Sequence, residues 1–152
     1  MPEIYLDDLR PGQTFALGRR SIPRDEIVEF ARAWDPQPFH LDEATAQASI
    51  YGQLIASGWH TACVFMRLFA DGLLNRTAAI GSPGLDELRW LKPVYAGDSL
   101  DARVEILEVR PSRSRPDRGA ARIRCVVSNQ RGDEVLTMIA TVMFLRRPVG
   151  PR

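Results

Sequence analysis

The chain has 152 residues, a length that suits one domain with its own hydrophobic core. Hydrophobic residues make up 45% and charged residues 26%, which is the balance of a globular protein. The 20 Lys and Arg residues nearly equal the 19 Asp and Glu residues, so the net charge of +1 gives no general attraction to nucleic acid or to an anionic membrane. We therefore expect a single domain over residues 1–152.

The first third of the chain predicts one strand and two helices. Pro11-Gly12 is a turn signal, and a first strand is expected over 14–18. Pro23 suits the first turn of a helix that ends before Pro36. Its apolar residues recur at helical spacing: Ile27, Phe30, Ala31 and Trp34. Asp42 is expected to cap a short second helix that runs through about Ser49.

A long helix is predicted from Trp59 to Leu74, with Ser57 as its candidate N-cap. Apolar residues cover nearly its whole circumference, so other structure must wrap it. Four of its large side chains are predicted to be mainly core residues, some of which also line an acyl tunnel: Trp59, Phe65, Met66 and Phe69.

The second half changes to strands that are separated by turn signals. Strands are expected at Leu85–Leu91, Ser99–Val109, Ala120–Asn129 and Glu134–Leu145. A period of two is clear in the second of them, at Leu100, Ala102, Val104 and Ile106. The pattern predicts an α+β fold in which an antiparallel sheet curls around the central helix.

The two cysteines and the N-terminus indicate a cytoplasmic protein. Cys63 and Cys125 lie in apolar runs without Cys-x-x-Cys spacing, so they are interpreted as small buried residues of a reducing compartment. The first residues lack the basic and apolar regions of a signal peptide. The apolar run at 62–74 is too short to span a membrane and carries Arg67 and Asp71.

The segment 35–40, Asp-Pro-Gln-Pro-Phe-His, is the main candidate for chemistry. Asp35 and His40 are the side-chain types best suited to share the protons of one water molecule. Pro36 and Pro38 take the chain out of the helix and stiffen it, so the two side chains can be held in place. The plain alternative is that Asp35 closes a helix and His40 satisfies a loop carbonyl.

Three motifs carry a family resemblance. The segment 30–42, Phe-Ala-Arg-Ala-Trp-Asp-Pro-Gln-Pro-Phe-His-Leu-Asp, followed by Leu-Ile-Ala-Ser-Gly at 54–58, resembles the MaoC-like enoyl-CoA hydratases, the (R)-specific branch of the hotdog superfamily. Arg-Trp-Leu-Lys-Pro-Val at 89–94 and Gly-Asp-Ser-Leu at 97–100 are also similar to that family. The expected architecture is a hotdog fold with five main strands, and the resemblance implies a homodimer with acyl sites at the subunit interface.

The resemblance also implies a reaction, the reversible addition of water to a trans-2-enoyl-CoA to give a 3-hydroxyacyl-CoA, without a cofactor. Asp35 and His40 match the positions that handle the water. Gly58 matches the glycine whose backbone N–H binds the thioester carbonyl, where negative charge grows as water adds. Two residues depart from the family pattern: Gln37 replaces Asn and Ser57 replaces His, both in the expected substrate pocket.

Several further residues are candidate contacts for the substrate. Trp59 is expected at the acyl tunnel, and Arg89 and Lys92 are candidates for coenzyme A phosphates. Arg113 and Arg115 lie in a basic hairpin loop, which is either a solvated turn or part of a phosphate clamp.

His60 is expected near the helix start or at the pocket mouth. A metal triad of Asp35, His40 and His60 is the disfavoured alternative, because the sequence has no paired His-x-His or His-x-x-x-His spacing. No metal is expected.

The resulting hypothesis is a hydro-lyase of fatty acid metabolism, acting on acyl-CoA thioesters. A hotdog thioesterase, which would hydrolyse the acyl bond, is one alternative. A non-catalytic acyl-CoA-binding subunit is another, although such a subunit would not need both Asp35 and His40.

Overall fold

Five strands form one antiparallel sheet in the computed structural model, which describes residues 1–151. In chain order they are β1 Thr14–Ser21, β2 Ala79–Trp90, β3 Ser99–Pro111, β4 Arg118–Ser128 and β5 Glu134–Leu145. Their order across the sheet is β1-β3-β4-β5-β2, so β1 and β2 are the two edges. The predicted alternation in β3 is confirmed, because Leu100, Ala102, Val104 and Ile106 are all buried.

Four α-helices accompany the sheet in the described part of the chain. They are α1 Arg24–Trp34, α2 Pro38–Leu41, α3 Glu43–Ala48 and α4 Gly58–Gly72. Single 3-10 turns lie at Leu6–Asp8 and Leu74–Arg76. Asp42 caps α3 as expected, since its carboxylate accepts a hydrogen bond from the Thr45 backbone N–H at 2.8 Å.

Helix α4 packs along the sheet through Val64, Phe65, Leu68 and Phe69, which are buried. Its last residue, Gly72, lies so close to β1 that a β-carbon there would stand 2.6 Å from the Leu17 carbonyl oxygen. Glycine therefore lets the helix end contact the strand directly.

The prediction that α4 is wrapped on every side is wrong for a single chain. Trp59 is 57% exposed and Met66 is 48% exposed, although both were predicted to be core residues. Cys63 is also exposed. One sheet covers only one side of a helix, so this apolar face of α4 remains on the surface.

Two other boundaries differ from the sequence prediction. Pro23 precedes α1 as its N-cap residue, and Trp34 is 76% exposed because the helix turns that side toward solvent. Strand β2 begins at Ala79 rather than Leu85. Its first half contains Gly81 and Pro83, which hide a strand pattern in sequence and accompany shifts in its register against β5.

The two cysteines differ in environment. Cys125 is fully buried as expected, and burial raises the pKa of its thiol to about 12. Cys63 was expected to be buried too, and its exposure on α4 corrects that prediction. Among the described residues, no helix combines the length and the apolar character needed to cross a membrane.

Candidate active site

The fold brings Asp35 and His40 together. Asp35 is the C-cap residue of α1, and His40 lies in α2, which begins at Pro38. The two prolines separate the helices, so the chain turns back and places Asp35 Oδ2 3.3 Å from His40 Nε2. The imidazole is buried while the carboxylate is partly exposed. The pair is therefore held at the wall of the protein rather than deep in its core.

The ring of His40 is oriented by a backbone carbonyl. His40 Nδ1 lies 2.8 Å from the carbonyl oxygen of Ile55, which can only accept a hydrogen bond. That carbonyl is fixed in turn, since the Ala56 N–H donates to the Val94 oxygen at 2.8 Å. The Nδ1 atom therefore carries the proton, and a neutral His40 presents the lone pair of Nε2 toward Asp35.

Each oxygen of the Asp35 carboxylate accepts a hydrogen bond. The Ser57 hydroxyl donates to Oδ2 at 2.6 Å and the Gln37 amide donates to Oδ1 at 2.7 Å. Partial burial raises the pKa of Asp35, but the hydrogen bonds from Ser57 and Gln37 and the nearby His40 outweigh it and hold the pKa below its usual value. Asp35 is therefore kept as a carboxylate.

Both departures from the family pattern thus support Asp35. Gln37 is long enough to reach the carboxylate from the loop after it. Ser57 stands at the N-cap position of α4, but its hydroxyl caps no backbone N–H. The predicted N-cap position is therefore confirmed, but the hydroxyl donates to Asp35 rather than accepting from a backbone N–H.

Gly58 begins α4, where the first backbone N–H groups of a helix have no partner inside it. The indole of Trp90 lies against this residue and donates from Nε1 to the Gly58 oxygen at 2.7 Å. A β-carbon at position 58 would stand 2.6 Å from the Trp90 ring, so only glycine fits there. No local pattern in the sequence links Trp90 to Gly58, since the two lie 32 positions apart.

A cavity of about 460 Å³ lies beside these groups. It brings together six of the predicted site residues: Asp35, His40, Gln37, Gly58, Trp59 and Lys92. Phe39, Tyr51, Thr61 and Trp90 also line it, and none of these four was predicted as a site residue. Ser57 does not line the cavity, but its hydroxyl donates a hydrogen bond to Asp35, which does. The cavity thus combines an Asp/His pair, a helix start and aromatic walls.

Three predicted contacts do not line this cavity. Arg89 lines a separate hollow with Glu87 and Arg124. Arg113 and Arg115 lie in the turn after β3, whereas the cavity is lined by residues 90–94, just before β3 begins. A strand of 13 residues spans roughly 40 Å. Within one chain, the phosphate clamp predicted from Arg113 and Arg115 is therefore not supported.

His60 also lies apart from the pair. Its ring stacks on Phe30 with centroids 4.6 Å apart, and its Nε2 lies 3.3 Å from Glu26 Oε2. Burial lowers the pKa of His60, and Glu26 opposes that effect only in part. The alternative metal triad is not assembled, and residues 1–151 contain no cluster of three or more His, Cys, Asp or Glu side chains that could hold a metal ion.

A long helix packed against one five-stranded antiparallel sheet is the architecture of the hotdog fold, as the resemblance implied. Solved hotdog structures of this kind include hydratases and dehydratases. The chain belongs to the family described as "MaoC like domain", which matches residues 8–129.

Three relatives illustrate this membership. The 3-hydroxybutyryl-CoA dehydratase of Methylorubrum extorquens is 33% identical over 140 residues, which cover 90% of this chain and 82% of the relative. The MaoC-like dehydratase from Rhodospirillum rubrum is 42% identical with a TM-score of 0.89, covering 96% of this chain and 99% of the other. The (R)-hydratase from A. caviae is 26% identical with a TM-score of 0.74, covering 92% and 98%.

Proposed function

We propose that the protein is a hydro-lyase that reversibly hydrates a trans-2-enoyl-CoA to a 3-hydroxyacyl-CoA. The observation that carries the proposal is the pair of lone-pair-bearing atoms, Asp35 Oδ2 and His40 Nε2, 3.3 Å apart beside the cavity. With Asp35 ionised and the His40 proton on Nδ1, both atoms are acceptors. A water molecule has two O–H groups and can donate to both at once.

Asp35 and His40 together account for every proton that moves in the reaction. His40 Nε2 takes one proton as the water oxygen bonds to the β carbon, and the electrons of the double bond move toward the carbonyl oxygen. Asp35 is the weaker base, because its lowered pKa reflects the bonds it already accepts, and it stabilises the imidazolium. The imidazolium returns its proton to the α carbon. One H and one OH have been added, so the reaction needs no cofactor.

Gly58 supplies the second half of the site. Negative charge grows on the thioester oxygen as water adds, and an unpaired N–H at the positive end of a helix stabilises it. Electrostatic donors of this kind commonly contribute about 10²–10³ in kcat. We assign the aromatic walls, including Trp59, to the acyl or pantetheine portion, and Lys92 to the polar end of the cavity.

The test follows the loss of enoyl absorbance with a panel of trans-2-enoyl-CoAs. We expect turnover by the wild type and a loss of at least about a hundredfold in Asp35→Asn and in His40→Gln, since each removes a group that handles the water. Circular dichroism checks that both variants fold. Undiminished turnover in both variants would contradict the mechanism.

The same samples separate the alternatives. Release of free coenzyme A thiol from acyl-CoA would identify a thioesterase. Saturable binding of acyl-CoA with no turnover anywhere on the panel would identify a binding subunit.

We further propose that the protein acts as a homodimer in the cytoplasm. Strand β2 pairs only with β5, which leaves its other edge free, and it carries the exposed Ile80 and Leu85. Trp59 and Met66 expose a second apolar strip on α4. A second copy seated there would cover both surfaces.

A further inference from the structure

We propose that Trp90 is a positioning residue that restrains Gly58 at its α carbon and its carbonyl, so that the N–H of the same residue stays directed at the thioester carbonyl. This inference rests on the proposed function of Gly58. It assigns to Trp90 a role in the chemistry through Gly58, beyond its place in the cavity wall.

Two independent contacts restrain Gly58 through the same indole. The Nε1 donor lies 2.7 Å from the Gly58 oxygen. Three ring atoms, Cε2, Nε1 and Cδ1, stand 2.6, 2.7 and 3.0 Å from the position that a β-carbon of residue 58 would take. The ring therefore lies against the Gly58 α carbon, and its N–H fixes the peptide group that follows that carbon. Together the two contacts limit rotation at Gly58, and with it the direction of the Gly58 N–H.

Gly58 needs such a restraint for two reasons. Glycine has the widest backbone freedom of any residue, and the first residue of a helix frays most readily. The usual remedy is a side-chain cap from the preceding residue. Ser57 provides none, because its hydroxyl donates to Asp35. The indole restrains the helix start where the cap does not.

Trp90 is itself anchored to the sheet. It is the last residue of β2 and pairs with Leu136 of β5, and the following Leu91 N–H donates to the Val135 oxygen at 2.9 Å. Its ring meets Trp59 edge-on, with centroids 5.1 Å apart and planes at 79°. The indole thus ties Gly58 to the sheet.

The test compares Trp90→Phe with the wild type by two readouts. One is the kinetics of enoyl-CoA hydration. The other is the red shift in absorbance of a bound 2,4-dienoyl-CoA, which reports polarisation of its carbonyl. We expect kcat to fall about three- to tenfold, the value of one hydrogen bond, with little change in KM. The red shift should shrink in parallel, which a general loss of stability alone would not cause.

Trp34→Phe is the matched control, because Trp34 is 76% exposed and does not line the cavity. It should retain the wild-type kcat and red shift. A Trp90→Phe protein that folds and keeps both would overturn the inference.

If Trp90→Phe does not fold, β-(3-benzothienyl)alanine at position 90 replaces it. That residue keeps the bicyclic ring and exchanges the N–H for sulfur. A reduced red shift would support the inference, and an undiminished one would overturn it.

Failure of the proposed function is recognised separately. A wild type that shifts the dienoyl band but hydrates no enoyl-CoA would contradict the proposed hydratase activity. The role of Trp90 would then be judged from the red shift of Trp90→Phe alone. A wild type that does neither would overturn both.

Discussion

Ser57 favours the ionised form of Asp35 although it does not line the cavity. Its hydroxyl is buried and donates to Asp35 Oδ2, the oxygen that faces His40. A donor to the ionised form favours that form, which contributes to the lowered pKa of Asp35. Ser57 therefore helps to keep a carboxylate beside His40.

Ser57→Ala should therefore raise the pKa of Asp35, because it removes a hydrogen bond to the charged form. The measurement is an NMR titration of the Asp35 carboxyl carbon. Ser114→Ala, at an exposed position in the turn after β3, is the control and should keep the wild-type titration. An Asp35 titration that stays in place or moves to lower pH would show that Ser57 does not favour this ionisation.

At the scale of elements, α1 and α4 meet through a buried histidine. His60 stacks on Phe30 of α1 and faces Glu26, which in turn pairs with Arg20. Its Nδ1 is buried without a partner. Burial favours the neutral ring, so the folded protein resists protonation of His60 more than the unfolded chain does.

The free energy of unfolding should decrease as the pH falls, because of His60. In the unfolded chain His60 takes up a proton at about pH 6.5, whereas in the folded protein the pKa of His60 is lower. The unfolded state therefore binds more protons in the interval between the two values, and the free energy of unfolding decreases as pH falls through it. His60→Gln should lose less stability than the wild type between about pH 7.5 and pH 5. Urea titrations at both pH values measure the difference.

Glu29→Gln is the control for that comparison. Glu29 is exposed on α1 and lines the same surface hollow as Glu26 and His60. It should reproduce the wild-type pH dependence. An equal loss in His60→Gln would mean that other groups cause the dependence.

The sequence predicts features that a short segment contains, and it does not reveal contacts between residues far apart in the chain. Asp35, His40 and Gly58 were found because short motifs contain them, and β3 was found because Leu100 to Ile106 alternate. The start of β2 was missed because Gly81 and Pro83 interrupt its pattern. The contact of His40 with Ile55 and that of Trp90 with Gly58 join residues 15 and 32 positions apart, so no local pattern reveals them.

At the scale of the whole molecule, a single chain leaves part of its apolar surface exposed to solvent. The free edge of β2 and the exposed strip of α4 lie next to the cavity, since Trp59 and Trp90 line it and are themselves 57% and 43% exposed. A partner that covers these surfaces would also close the walls of the cavity. Assembly and activity should therefore change together.

Leu85→Lys tests this link. Leu85 is 52% exposed on β2, and a charge there should oppose pairing of two edges. We expect light scattering to show a dimer for the wild type and a shift toward monomer for the variant, with a matching loss of hydration activity. Leu107→Lys is the control, because Leu107 is exposed on β3, an interior strand. A Leu85→Lys protein that remains dimeric would place the contact elsewhere.

The unequal cysteines have a practical consequence. Burial and a pKa raised to about 12 keep Cys125 from reacting, whereas Cys63 stands exposed on α4, close in sequence to Gly58 and Trp59. The native chain thus offers a single addressable thiol. Because Cys63 lies on the apolar face of α4, its reaction with a thiol reagent should slow if the proposed second copy covers that face.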